Sequence, residues 1–226
     1  MNSLYDFIVS PVKGRYNNKK TIEDKELILN TKIETFQSVS KEAVVIATPL
    51  AYKTKVKKGD KVLVHHNVFR RFYDVKGREK NSRSYFKDDM YFCDPLQLYM
   101  YNGKAHLDYC FVAPVSNTDH LRTEKEALQL GILKISNKSL EALGITPGEL
   151  VTFSPNSEFE FVINGEKLYC MKSNNIALTH ERKGNEKEYN PSWTNGGEGI
   201  DKSSEGADCR YGGGCICGPT QERGCH

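Results

Sequence analysis

The chain contains no long apolar run. Nothing in it approaches the ~18 consecutive uncharged residues a membrane-crossing helix needs, and 27% of its 226 residues carry charge. No membrane association is therefore expected. The opening Met1-Asn2-Ser3-Leu4 leads straight into a strand-like phrase without a basic-then-apolar leader, so secretion is not expected and the cytoplasm is the expected compartment. The seven cysteines are an odd number, which argues against a secreted disulfide framework. A Gly-x-Gly-x-x-Gly phrase after a strand is missing, which argues against the barrel domain of a dehydrogenase, an enzyme that needs a nucleotide-binding half. No P-loop, Ser-His-Asp order or paired acids stand out either, so the chain does not read as an enzyme. A net charge of +3 is too small to argue for nucleic acid by itself.

What the chain does contain is a repeated β phrase. Val56-Lys57-Lys58-Gly59-Asp60-Lys61-Val62-Leu63-Val64 sets a Gly-Asp turn before a β-branched and aliphatic strand. Ile145-Thr146-Pro147-Gly148-Glu149-Leu150-Val151-Thr152-Phe153 repeats turn, acid and apolar strand in the same order. Upstream, Tyr5–Val12 matches Tyr109–Val115, and Ala43–Thr48 matches Gly131–Ser136. Downstream, Tyr91–Tyr99 corresponds to Leu168–Ile176. An internal repeat of this kind governs every later assignment. The expectation is an all-β chain of two diverged copies of one small β-barrel, with short helical turns at Glu124–Leu128 and Ser136–Leu143. The barrels are expected over residues 3–101 and 105–179. Asn102-Gly103 and Asn164-Gly165 are strong hairpin signals, the first joining Leu98–Tyr101 to Leu107–Cys110 without a flexible linker.

Between the first strand and Val39 the chain is polar and turn-rich, and Lys13–Lys20 reads as a mobile loop. Inside this surround sits an isolated apolar triplet, Leu27-Ile28-Leu29. It is either a short edge strand packed on its own barrel or a sticky peptide that orders in a partner's apolar groove. His65–Lys87 is long and basic, with Phe69, Phe72, Tyr73, Tyr85 and Phe86 interleaved among Arg and Lys. A nucleic-acid surface is one reading; the favoured one is a solvated hairpin whose aromatics cover the barrel. His65-His66 lacks a third ligand nearby at metal spacing. Cys93, Cys110 and Cys170 lie in apolar strand phrases and should be small buried hydrophobes. After about Arg182 the sequence becomes Gly, Asn, Ser, Glu and Lys with one tryptophan, Trp193. Residues 183–226 are therefore expected to be a flexible, disordered tail.

The order of segments resembles the GroES-like co-chaperonin family. The carrying residues are Phe7-Ile8-Val9-Ser10-Pro11, the triplet in the long loop after it, the Ala43–Ala47 strand, Val56–Leu63 and an ending near Tyr99. In that family a mobile loop between the first strands carries an apolar triplet that binds the apical domains of the chaperonin ring. The resemblance implies that Leu27, Ile28 and Leu29 are the chaperonin-binding residues. It implies a homo-oligomeric ring that caps an ATP-loaded, GroEL-like chaperonin around client proteins, with no cofactor of its own. The link Pro49–Lys55 is too short for the roof hairpin of cellular members, a trait shared with phage-encoded co-chaperonins; a viral origin would place the chain in host cytoplasm. The second copy has lost the triplet. The alternative function is a non-enzymatic structural or adaptor protein, serving viral assembly or nucleic-acid contact with the same barrel.

Four cysteines, Cys209, Cys215, Cys217 and Cys225, crowd the last residues beside His226. Four thiolates, or three and the imidazole, fit one tetrahedral Zn²⁺, and the glycines around them would let the chain wrap it. Zinc sites favour C-x₂-C spacing over the C-x-C found here, so free thiols or a redox-formed bridge stand beside the zinc reading.

Overall fold

The structure is a computed structural model and describes residues 3–16, 19–22, 25–28, 38–118 and 123–195. The chain divides into two compact units. One is built on residues up to Tyr109 together with Asn137–Ser139, the other on Cys110–Ser136 and Leu140 onward. Both are β structures; the one α-helix among the described residues, α1, is the short Lys138–Ala142.

In the first unit the strands are β1 (Phe7–Pro11), β2 (Lys19–Ile22), β3 (Lys25–Ile28), β4 (Glu42–Ala47), β5 (Lys61–Val64), β6 (Arg71–Tyr73) and β7 (Glu79–Asn81). They continue with β8 (Tyr85–Lys87), β9 (Met90–Cys93), β10 (Leu98–Tyr101) and β11 (Lys104–Ala105). Seven of them form one antiparallel sheet in the order β11-β10-β5-β4-β1-β9-β8. β2–β3 and β6–β7 are separate two-stranded ladders. Alternation along the strands sets the core: Phe7 and Val9 of β1, Val45 of β4, Val64 of β5, Tyr91 of β9 and Leu98 of β10 are buried together. Phe69 meets Tyr91 edge to face at 4.9 Å between ring centroids. Pro11 ends β1, where its missing N–H leaves no ladder bond unmade.

The second unit contains β12 (Tyr109–Ser116), β13 (Glu126–Ile135), β14 (Leu150–Phe153), β15 (Phe159–Ile163), β16 (Glu166–Lys172) and β17 (Ile176–His180). Its sheet runs β15-β16-β12-β13-β14-β17. Cys110, Val112, Leu133, Leu140, Val151 and Met171 form its main core, and Val115, Ile132 and Leu150 a second buried cluster.

The two sheets share one strand order. Read from one end, the first is β10-β5-β4-β1-β9-β8 with β11 added at the edge, and the second is β17-β14-β13-β12-β16-β15. The correspondence extends to single hydrogen bonds. Gly59 N–H donates to Val45 O at 2.8 Å, and Gly148 N–H donates to Leu133 O at 2.7 Å. Val45 N–H donates to Asp60 O at 3.0 Å, and Leu133 N–H to Glu149 O at 2.9 Å. Both turns need glycine, since Gly59 and Gly148 sit at φ +90° and +99°.

Several expectations are corrected. Among the described residues neither sheet closes into a barrel; each remains open, with β11 and β8, or β15 and β17, as its edges. Glu124–Leu128 is not a helical turn, because β13 begins at Glu126. The Asn102-Gly103 hairpin pairs Tyr101 with Lys104 and Met100 with Ala105. Its returning strand is thus only β11, and a further turn at Leu107-Asp108 precedes β12. The chain after Arg182 does not leave the fold at once. Tyr189 N–H donates to Pro114 O and Ser116 N–H to Lys187 O, both at 2.8 Å. Asn190 bonds Lys167 N–H and Gly165 O, tying this segment to the β15–β16 hairpin.

A candidate docking site

The loop between β1 and β4 has a built base. Tyr16 and Val39 form an antiparallel bridge, and Ser40 N–H donates to Arg15 O at 2.8 Å. Val39 is buried in the core. The Arg15 guanidinium donates to Phe69 O through Nε and Nη2 at 3.2 and 3.0 Å, and to Asn81 Oδ1 through Nη1 at 2.8 Å. It also lies 5.2 Å from the Tyr91 ring centroid. Tyr16 Oη accepts from Arg71 N–H at 2.7 Å, and the Arg71 guanidinium covers the Tyr16 ring. Both ends of the loop are therefore fixed where it leaves and re-enters the sheet. Sequence reading placed Arg15 and Tyr16 in a mobile stretch; their cation and ring among small polar residues were the available signal.

Within the loop, β3 carries Leu27 and Ile28 and pairs with β2 through Lys20↔Leu27 and Lys19↔Ile28. Among the described residues this ladder is not joined to the seven-stranded sheet. The reading of the triplet as an edge strand of the barrel therefore does not match the strand pairing. Leu29 lies outside the described residues.

The basic segment His65–Lys87 becomes a short 3-10 turn at His66–Val68, the β6–β7 hairpin and β8. Its aromatics cover the sheet only in part. Phe69 is buried, and Tyr85 and Phe86 of β8, though partly exposed, lie with ring centroids 5.6 and 5.0 Å from those of Tyr91 and Phe92 of β9, whereas Phe72 and Tyr73 of β6 are exposed. His65 and His66 stack at 4.2 Å, and His65 Nδ1 accepts from Asn67 N–H at 3.0 Å. Burial first and then the Lys41 charge pull His65 down to about 4; burial and the neighbouring His65 pull His66 to about 3. Both are neutral at pH 7. Among the described residues no three His, Cys, Asp or Glu side chains are grouped to hold a metal ion.

Cys93, Cys110 and Cys170 are buried free thiols, as their apolar surroundings in sequence implied. Burial pushes Cys110 up to about 12, and Cys93 and Cys170 also well above the usual thiol range. Such thiols are poor nucleophiles and ligands. The zinc candidates Cys209, Cys215, Cys217 and Cys225 lie outside the described residues.

The second unit holds an ion cluster that sequence reading missed. Lys167 Nζ lies 2.6 Å from Glu126 Oε1 and 3.0 Å from Glu160 Oε2. Tyr169 Oη donates to Glu126 Oε2 at 2.6 Å. Burial alone would lower the Lys167 pKa, but the Glu126 bond and the Glu160 charge outweigh it and hold the ammonium above its ordinary value. The cluster joins β13, β15 and β16 and leaves no polar member unpaired, so its evident action is to fix register. Glu160, Lys167 and Tyr169 share the β15–β16 hairpin, but Glu126 comes from a distant point of the sequence, and no local motif announces the group.

No family model matches the chain, and no curated protein matches it.

Proposed function

We propose that the chain is a co-chaperonin: a ring of subunits caps an ATP-loaded chaperonin by inserting the apolar triplet Leu27-Ile28-Leu29 into grooves on the ring. The open sheets would then be variants of the GroES-like barrel. The observation that supports this reading best is the placement of β3. It carries Leu27 and Ile28 between β1 and β4, in the position the triplet has in that family, and among the described residues its ladder is separate from the main sheet. The fixed base at Arg15, Tyr16 and Val39 adds support, because a loop with anchored ends presents its peptide within a limited volume. Each docking is weak, since ordering the peptide costs conformational entropy. A ring raises the effective concentration of the remaining loops once one is bound.

Co-sedimentation of the full chain with a chaperonin ring and nucleotide tests the proposal. The chain is expected to sediment with the ring only when nucleotide is present. Ile28→Asp is expected to weaken capture at least tenfold, since an unpaired carboxylate is strongly disfavoured in an apolar groove. Its thermal unfolding should match that of the parent. Undiminished capture by this variant refutes the assignment of the triplet.

A further inference from the structure

Part of the aromatic surface of the basic segment is held out on a well-made support. Phe72 and Tyr73 of β6 are 43% and 50% exposed, and Val75 at the hairpin tip is fully exposed. The hairpin beneath them is regular, with Arg71↔Asn81, Phe72↔Lys80 and Tyr73↔Glu79 as partners. Its tip is closed by Asp74 Oδ1, which accepts from Lys76 N–H and Arg78 N–H, both at 2.9 Å. Its base is tied by Ser82, whose N–H donates to Arg70 O and whose hydroxyl donates to Val68 O. Arg15 pins Asn81 from the neighbouring loop. Phe72 is thus exposed by construction, whereas apolar surface in such a segment usually turns inward.

The charges are arranged with them. Residues 70–87 contain seven cations and two acids. Asp74 is engaged by the turn, and Glu79 pairs with Arg71 at 2.6 Å. Among the described residues, Lys76, Arg78, Lys80 and Arg83 enter no ion pair. Strand alternation puts Phe72 and its cross-strand partner Lys80 on the face opposite Arg71, which covers Tyr16. The next acids along the chain, Asp88 and Asp89, sit at positive φ in the turn after β8.

We propose that the β6–β7 hairpin is a binding surface for single-stranded nucleic acid, with Phe72 as a stacking platform and Lys76, Arg78, Lys80 and Arg83 as phosphate contacts. An acidic protein segment would answer the cations but leave the rings in water. A duplex offers phosphates but hides its base faces. A single strand supplies both, and base stacking on exposed aromatics is tolerant of sequence.

The test is fluorescence anisotropy of the full chain with labelled oligo(dT) and oligo(rU) of about twenty nucleotides, beside a labelled oligoglutamate of equal length. Saturable oligonucleotide binding at about 50 mM salt is expected, weakening at least tenfold by about 300 mM. Phe72→Ala should weaken it about tenfold. The side chain is exposed, so unfolding temperature should stay unchanged. Lys80→Glu should weaken it comparably, while Lys53→Glu, an equal charge change at another exposed lysine, should stay within about twofold. The proposal is overturned by absence of saturable binding, by oligoglutamate binding equally well, by unaffected Phe72→Ala, or by equal losses in the two lysine variants.

Discussion

His106 holds its ring among Phe7 and Tyr101, with ring centroids about 6 Å away, and its Nε2 is buried without a hydrogen-bond partner among the described residues. Burial pulls its pKa down from 6.5 to about 4. The unfolded chain then binds the proton more readily than the folded one. The resulting stability is complete above pH 6.5 and is lost as pH falls from there through about 4. Between pH 7 and about 4.5 this one group should remove on the order of 2 kcal/mol. His106→Phe removes both the titration and the unpartnered nitrogen. It should therefore be no less stable at pH 7 and should lose less on acidification. The difference in urea midpoints between the two chains at the two pH values is the readout, since His65 and His66 titrate alike in both. Superimposable pH profiles would show that His106 is not a buried neutral group. Nothing next to His106 in sequence announces this environment. Asp60 is the opposite case. Its Gly-Asp turn is legible, and the carboxylate accepts from Lys57 N–H at 2.7 Å and Asn102 Nδ2 at 2.8 Å. Those bonds, the backbone one foremost, hold its carboxyl below the usual range.

At the level of elements, local signals succeeded where the neighbours along the chain decide the conformation. Asn164-Gly165 turns β15 into β16, with Ile163 opposite Glu166, and the apolar phrases read as strands at Tyr5–Val12, Ala43–Thr48 and Lys61–Val64 form β1, β4 and β5. They failed at Glu124–Leu128, where Glu, Ala and Leu favour a helix locally. The competing interactions are long-range: Glu126 is held by Lys167 and Tyr169 of β16, and Ser116 pairs with it from β12. Tertiary partners override so weak a propensity. The same strand contains a second constraint that composition hides. A Cβ on Gly131 would lie 2.3 Å from Val112 Cγ1 and 2.6 Å from Ala113 O. The backbone oxygen cannot swing away as a flexible side chain could, so β12 and β13 must separate. Gly131→Ala is expected to destabilise the second unit by about 3 kcal/mol. Gly103→Ala meets no neighbour within 4 Å but is strained at φ +75°, which limits its expected cost to about 1 kcal/mol. Urea unfolding of the two variants should separate these causes, and equal small losses would show that β12 and β13 can relax around a methyl group.

For the whole molecule, the two proposed surfaces differ in the force they use, and that makes them separable. The triplet, as proposed, would act through apolar contact, which added salt does not screen. The β6–β7 hairpin would act through phosphates, whose counterions are released on binding, so its affinity would fall steeply with salt. They are also physically linked, since Arg15 and Tyr16 at the base of the docking loop bond Asn81 and Arg71 of the hairpin. The resemblance in segment order pointed to the first surface; the second was the less favoured of two readings of the basic segment, because sequence alone cannot distinguish a ring that covers a sheet from one held off it. If the two surfaces act as proposed, raising salt from about 50 to 300 mM should remove at least nine-tenths of oligonucleotide binding. Capture by the chaperonin ring should persist within about twofold across the same range, as expected for burial of apolar surface. Lys80→Glu should reproduce the effect of salt on the first measurement without touching the second, and Ile28→Asp should do the reverse. Parallel loss of both activities in either variant, or with salt, would mean that docking runs through charge on one shared surface, and the separate role of the triplet would fall.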